Sequence, residues 1–264
     1  MPVSDLSTPP AEATAPPRER PGAEVIAVLL VSLGMSGIYA LLSLIRSEIT
    51  VQGGIGNATA TVVAGTSSAH QWLDVLDDLA NILNGVGPIV LALVLLARWP
   101  GGPGFGIGFG TVRLRRSALQ GAGFCALIGI PGLALVYVAH RLGLNASLEV
   151  VNFPDVWYRV PYLLLSALQN GAAEEVVVVG YLLTRLRQMN WSNQRALLAS
   201  ATLRGSYHLY QGFGGFAGNF VMGLIFGWWF QRSRRVMPLV IAHFLLDAIS
   251  FVGYVYLHRH ISWI

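Results

Sequence analysis

The sequence predicts an all-α fold, a polytopic bundle of about seven membrane-spanning helices. Of the 264 residues, 54% are hydrophobic and only 11% are charged, whereas a soluble domain has about 25% charged residues. Apolar runs long enough to cross a bilayer, at ~20 residues per span, recur along the chain between short polar connections. These observations indicate an integral membrane protein that is embedded in the lipid bilayer.

All basic residues of the chain are arginines, and they fall in short clusters between the apolar runs. This distribution is typical of membrane orientation and not of nucleic-acid binding. With a cytoplasmic N-terminus, seven alternating spans place the clusters at 113–116, 185–195 and 232–235 on the cytoplasmic side and the acidic segment 74–78 outside. The absence of lysine, with many Ala, Gly, Arg and Val residues, indicates a GC-rich bacterial genome and hence the plasma membrane.

Changes in amino-acid composition along the chain predict four regions. Residues 1–22 are rich in Pro, Ala, Ser and Thr and are expected to form a disordered tail. N-terminal helices and loops are expected over 23–158, a helical core over 159–258, and a short tail over 259–264. After the run that contains the acids, the core is expected to contain a helix that ends near Tyr210, a span that ends near Phe230 and a last span over 236–257. In the N-terminal region we expect spans at 24–45, 79–97 and 119–138, the last broken by Pro131, a loop over 46–78 that ends in a short helix, and a flexible Gly-rich connector over 101–110.

Two adjacent acids, Glu174 and Glu175, lie in the apolar run 161–183. A charged side chain at the centre of a membrane helix costs about 2.5–3.5 kcal/mol, so intramembrane acids indicate a functional site. Two neighbouring carboxylates cannot both ionise easily, which favours one proton-holding group beside one proton-accepting group. The pair is therefore a candidate centre for acid–base chemistry.

Further polar residues lie in the membrane runs that follow. After Val156 the acids of the chain are Glu174, Glu175 and Asp247, and none is placed in a loop. His243 is four residues before Asp247, so on a helix the two share a face. With His208 on the intervening helix, these residues can meet near the middle of the membrane. Such a set suits the activation of a water molecule and the stabilisation of an oxyanion or a metal.

The order of these motifs resembles the CPBP family, the CAAX-prenyl-protease and bacteriocin-processing (Abi-type) intramembrane proteases. The motifs are Glu-Glu at 174–175 followed by Gly-Tyr-Leu at 180–182, His208 on the next helix, and His243-x-x-x-Asp247 on a later one. The resemblance covers about residues 160–255. It implies an endopeptidase that hydrolyses a peptide bond of a membrane-associated or lipidated, CAAX-like protein or peptide.

The resemblance also implies a role for each residue. Glu174 would be the general base on the attacking water, helped by His208, and Glu175 would orient groups or hold charge. His243 and Asp247 would line the oxyanion side. The family is described both as metalloproteases and as metal-free glutamate proteases, so zinc is the one candidate cofactor, with Glu174, His208 and His243 as candidate ligands. No His-Glu-x-x-His helix is present.

The chain departs from the family pattern at two places. The usual Arg four residues after the second Glu is Val179 here, and the usual Phe upstream of the first His is not evident. Arg204, one helical turn before His208, is expected to pair with Glu175 instead. Tyr207 is expected to serve as an interfacial anchor or in packing.

Three alternatives to the peptidase stay open at this point. The acids could belong to a structural buried network, the chain could be a catalytically inactive CPBP-like protein, or it could be a proton- or cation-coupled transporter. The chain has no internal repeat of the kind found in many transporters, which favours the peptidase.

Overall fold

A computed structural model describes residues 21–98, 106–110 and 113–258. Predictions for residues 1–20, for 101–105 of the Gly-rich connector and for 259–264 lie outside these ranges. In the other half of the connector Ile107 is fully buried, and its carbonyl oxygen accepts a hydrogen bond from the backbone N–H of Val236. This half is therefore packed against the bundle, and the prediction that it is flexible is wrong. Pro21 and Gly22, expected in the tail, begin the first helix. The elements in chain order are α1 (Pro21–Leu30), α2 (Leu33–Thr50), β1 (Thr59–Ala64), α3 (Gln71–Ala97), α4 (Leu114–Arg141), β2 (Ser147–Asn152), α5 (Arg159–Ala173), a π-helical segment (Glu174–Tyr181), α6 (Leu182–Gln188), α7 (Asn193–Ser206), α8 (Phe213–Ser233) and α9 (Met237–Leu257).

The predicted all-α polytopic bundle is confirmed, with fewer full-length spans than the seven expected. Within the described ranges, five helices are long and apolar enough to cross a membrane, namely α3, α4, the continuous run Arg159–Gln188, α8 and α9. The predicted first span is bent by 51° between α1 and α2, and this pair counts as a sixth if it is one span. The helix expected to end near Tyr210 is α7, whose 14 residues are fewer than the ~20 that a span needs.

A short parallel sheet joins two connections that the sequence predicts as loops. β1 pairs with β2, with Thr59 opposite Ser147 and Ala64 opposite Asn152. Both segments contain Val or Thr residues, which favour strands. Because parallel strands come from distant parts of the chain, their pairing is not visible as a local hairpin pattern. The sheet ties the connection before α3 to the connection before α5.

Two helices differ from their predicted forms. α4 continues through Pro131, where the sequence predicts a break. α3 begins at Gln71, eight residues before the expected start. Its first turns contain the buried Asp74 and Asp78, and their carboxylates accept hydrogen bonds from the backbone N–H groups of Ser68 and Thr66. These bonds give one oxygen of each carboxylate a partner and allow the helix to start inside the acidic segment.

The run Arg159–Gln188 lies at the centre of the bundle. Within its most apolar window 72% of the residues are buried, against 11–39% in the other four spans. Val176 and Val179 of the π-helical segment pack in one hydrophobic cluster with Phe226 of α8 and Leu239 of α9. The two candidate acids thus lie on the one helix that the other helices surround.

Candidate active site

Both acids lie at the start of the π-helical segment Glu174–Tyr181. A π-helical turn is wider than an α-helical turn, is rare, and is often found at functional sites. Adjacent residues on an α-helix point about 100° apart. Here, however, the carboxylates of Glu174 and Glu175 both reach the same guanidinium group, that of Arg204.

Arg204, near the end of α7, is the centre of the site and is fully buried. Its Nη2 atom donates to Glu174 Oε2 at 3.1 Å and to Glu175 Oε1, and its Nη1 atom lies 3.4 Å from Glu175 Oε2. The guanidinium carbon lies 5.4 Å from the ring centroid of Phe226. The pair that the sequence predicts between Arg204 and Glu175 is present, and the same arginine also holds Glu174.

His243, on α9, completes the buried group. Its Nδ1 atom lies 2.8 Å from Glu175 Oε1 and 3.0 Å from Arg204 Nη2. Its Nε2 atom lies 3.7 Å from Asp247 Oδ1, which is too far for a direct hydrogen bond. His243 and Asp247 therefore share a helix face as their spacing predicts, but the close partner of the imidazole is Glu175.

Tyr207 is a site residue that the sequence analysis misses. Its hydroxyl donates to Glu174 Oε2 at 2.7 Å, so the same oxygen accepts from Tyr207 and from Arg204. A tyrosine near the end of a membrane helix is commonly an interfacial anchor. The sequence alone therefore does not indicate that Tyr207 binds Glu174. The available signal is its position three residues after Arg204, one helical turn along α7.

His208 follows Tyr207, just beyond the end of α7. Its Nδ1 atom lies 3.4 Å from the backbone carbonyl oxygen of Arg204, and its ring centroid is 4.9 Å from that of Tyr207. When Nδ1 carries the proton and donates to that carbonyl, Nε2 is left as a proton acceptor. The structure thus places His208 beside the residue that binds Glu174.

Glu174 and Glu175 differ in how much of each side chain is exposed. The side chain of Glu174 is 12% exposed and that of Asp247 is 22% exposed, whereas Glu175 is fully buried and His243 is 6% exposed. Part of the Glu174 side chain is therefore accessible from outside the cluster, while Glu175 is enclosed by its partners. This difference suits Glu174 to chemistry and Glu175 to holding Arg204 and His243 in place.

The arrangement does not fit a zinc ion. Among the described residues, no group of three or more His, Cys, Asp or Glu side chains is placed to hold a metal. The guanidinium of Arg204 lies where Glu174, Glu175 and His243 converge, so an internal cation already contacts both carboxylates. The candidate ligands Glu174, His208 and His243 do not form a metal-binding group in this arrangement.

Residues 156–249 match the family model described as "Type II CAAX prenyl endopeptidase Rce1-like". The resemblance to the CPBP proteases is thereby confirmed. The Rce1-like region begins just before α5 and ends within α9, so it contains the whole charged cluster. Nothing among the curated proteins or the solved structures matches the chain.

Proposed function

We propose that the protein is an intramembrane endopeptidase that hydrolyses a peptide bond of a membrane-associated or lipidated, CAAX-like substrate. The Rce1-like match supports this class at the level of the family. In this chain the strongest support is the environment of Glu174. Its carboxylate is partly exposed, and Arg204 and Tyr207 hold it in position within a membrane helix. The catalytic residues belong to the helical core predicted over 159–258.

In the proposed reaction Glu174 is the general base. Its carboxylate takes a proton from a water molecule, with the imidazole of His208 as a second acceptor, and the water oxygen attacks the carbonyl carbon of the scissile bond. The carbon–nitrogen bond then breaks. The proton passes from Glu174 to the leaving nitrogen, and the water oxygen remains in the new carboxyl group.

His243 and Asp247 are proposed to face the oxyanion that forms on the carbonyl oxygen. Nη2 of Arg204 has two hydrogens and two carboxylate acceptors, so the proton between His243 and Glu175 is best assigned to Nδ1 of His243. The 3.7 Å between His243 Nε2 and Asp247 Oδ1 leaves this nitrogen without a close carboxylate partner. When Nε2 carries a proton, it can donate to the oxyanion.

A second candidate is a catalytically inactive member of the family, and one observation favours it. Val179 stands where the family has an arginine and is fully buried among apolar side chains. Arg204 then supplies the positive charge from a different helix and contacts both acids. Such a network could hold α7, α9 and the π-helical segment together without any reaction.

Cleavage of a peptide that ends in a farnesylated CAAX sequence separates the two candidates. Purified protein in liposomes should release the C-terminal fragment, detected by mass spectrometry, and Glu174→Gln should abolish the release at an unchanged melting temperature. Asp155→Asn is the matched control because that carboxylate is 90% exposed. If wild type cleaves neither the farnesylated peptide nor its unmodified form, the endopeptidase proposal is contradicted.

A further inference from the structure

One edge of β1 is open within the described part of the chain. β1 pairs with β2 on one side, and the two strands form the whole sheet. In such a ladder alternate residues direct their main-chain N–H and C=O groups to the partner, and the others direct them to the opposite edge. An open edge of this kind can accept a further extended chain.

A cavity of about 240 Å³ lies along this strand, between β1, α3 and α5. Three consecutive residues of β1, Val62, Val63 and Ala64, contribute to its wall. Successive side chains of a strand point to opposite faces, so a cavity that meets three residues in a row follows the edge of the strand. An extended chain placed there would lie beside β1.

The wall that α3 and α5 form carries four amide or hydroxyl side chains beside Ile82 and Tyr162. The four are Asn81 of α3 and Ser166, Gln169 and Asn170 of α5. Amide side chains both donate and accept hydrogen bonds, as the main chain of a peptide does. A lipid tail offers such groups no partner, whereas a peptide can satisfy them. The chemistry of the cavity therefore matches a peptide main chain.

Helix α5 connects the cavity wall with the candidate catalytic acid. Tyr162, Ser166 and Asn170, which line it, are spaced four residues apart on α5, and Glu174 continues the series. Residues at this spacing form one ridge of a helix, and each step advances about 6 Å along the axis. An extended peptide rises about 3.3 Å per residue. About two residues of an extended substrate would thus span the distance between successive residues of the ridge.

We propose that this cavity is a substrate subsite, in which the peptide segment next to the scissile bond adds as a strand to the open edge of β1. The opposite wall hydrogen-bonds the same segment, and the ridge of α5 directs the segment to Glu174. Recognition through main-chain groups holds the peptide extended with little dependence on its side chains. The inference rests on the proposed endopeptidase function.

The test fills the cavity without touching the charged cluster. Asn81 lines the cavity and is exposed on α3, so Asn81→Trp can occupy the space with little effect on folding. Asn84→Trp is the matched control, since Asn84 is also exposed on α3 but lies outside the cavity wall. KM and kcat are measured for the farnesylated CAAX peptide in liposomes, and melting temperatures report on folding.

We expect Asn81→Trp to raise KM about tenfold at nearly constant kcat, because it removes binding that is common to the ground state and the transition state. Asn170→Leu, which removes a hydrogen-bonding group from the opposite wall, should shift KM in the same direction. Asn84→Trp should behave as wild type. Wild type could cleave the peptide while Asn81→Trp and Asn170→Leu cleave it with unchanged KM. That result would contradict the proposed subsite and leave the proposed endopeptidase activity intact. If wild type does not cleave, both proposals fall.

Discussion

Arg204 is the residue on which the geometry of the site depends most. Its guanidinium contacts Glu174, Glu175 and the ring of His243, and thereby joins the π-helical segment, α7 and α9. A buried charge of this kind is tolerated because its carboxylate partners are present. Removing one partner leaves the other charges buried and uncompensated.

Arg204→Met is therefore expected to destabilise the protein by about 3–5 kcal/mol, the usual cost of breaking a buried ion pair. The free energy of unfolding in mixed micelles measures the effect. Arg195→Met, on the same helix but exposed, is the control and should change it little. Equal stability of Arg204→Met and wild type would show that the network does not support the fold.

Tyr207 is expected to affect catalysis more than stability. Its hydroxyl bonds the partly exposed acid Glu174, and a hydrogen bond to a charged group contributes about 1.5–3 kcal/mol. Tyr207→Phe should lower kcat/KM by about tenfold or more if that bond positions the base. Tyr210→Phe, which loses a bond to Gln211, serves as the control. Full activity of Tyr207→Phe would remove Tyr207 from the site.

The sequence reveals the charged members of the cluster more readily than the neutral one. Glu174, Glu175 and Arg204 stand out because ionisable residues in apolar runs are costly. Asp247 and His243 are linked by their spacing. Tyr207 does not stand out, because an aromatic residue has ordinary reasons to lie in a membrane helix. The close contact of His243 with Glu175 depends on how α9 packs on α5, which no local pattern encodes.

At the scale of elements, close packing of α7 against α8 positions Arg204. A Cβ atom added at Gly223 of α8 would lie 2.9 Å from the backbone Cα of Ala201 and 3.2 Å from the side chain of Arg204. This glycine therefore allows the two helices to approach at the level of the site. Small residues serve the same purpose in many membrane helix pairs.

Gly223→Ala should push α7 away from α8, with a cost of about 1–3 kcal/mol for overpacking, and should lower activity because Arg204 moves. Gly253 of α9 offers the control, since an added Cβ there meets no atom within 4 Å. Gly253→Ala should be neutral or stabilising by about 0.5–1 kcal/mol, the usual advantage of alanine in a helix. Unfolding and cleavage are measured for both variants. Identical behaviour would contradict the packing argument.

The sequence predicts the ends of a helix well where the amino-acid composition changes sharply. The ends of α8 and α9 lie within a few residues of the expected bounds, because arginines separate their apolar runs. The sequence does not predict the π-helical segment, since its residues have the pattern of an ordinary apolar helix. The pairing of β1 with β2 is not predictable from a local pattern either, because it joins residues about ninety positions apart in the chain.

At the scale of the whole molecule, charge is distributed unevenly between the two ends of the bundle. Arginine clusters follow α6 and α8 and precede α4, whereas the acidic start of α3 lies at the end that carries the sheet. We propose that the arginine-rich end is cytoplasmic, in accordance with the positive-inside rule. The cavity beside β1 then lies at the opposite end of the bundle.

Labelling of single cysteines in intact cells tests this orientation. In a Cys125→Ser background, Trp157→Cys introduces a thiol at a site that is 78% exposed, between β2 and α5, and Arg232→Cys introduces one at the end of α8. A membrane-impermeant maleimide should label position 157 in intact cells and position 232 only after permeabilisation. The reverse pattern would invert the proposed orientation.

In the proposed mechanism Glu174 activates water to break a peptide bond. This mechanism is tested most directly by cleavage in heavy-oxygen water, with mass spectrometry of both fragments from the farnesylated CAAX peptide. We expect one heavy oxygen in the newly formed carboxyl group for wild type and no cleavage for Glu174→Gln. Cleavage by Glu174→Gln at the wild-type rate, or a product without heavy oxygen, would contradict the mechanism.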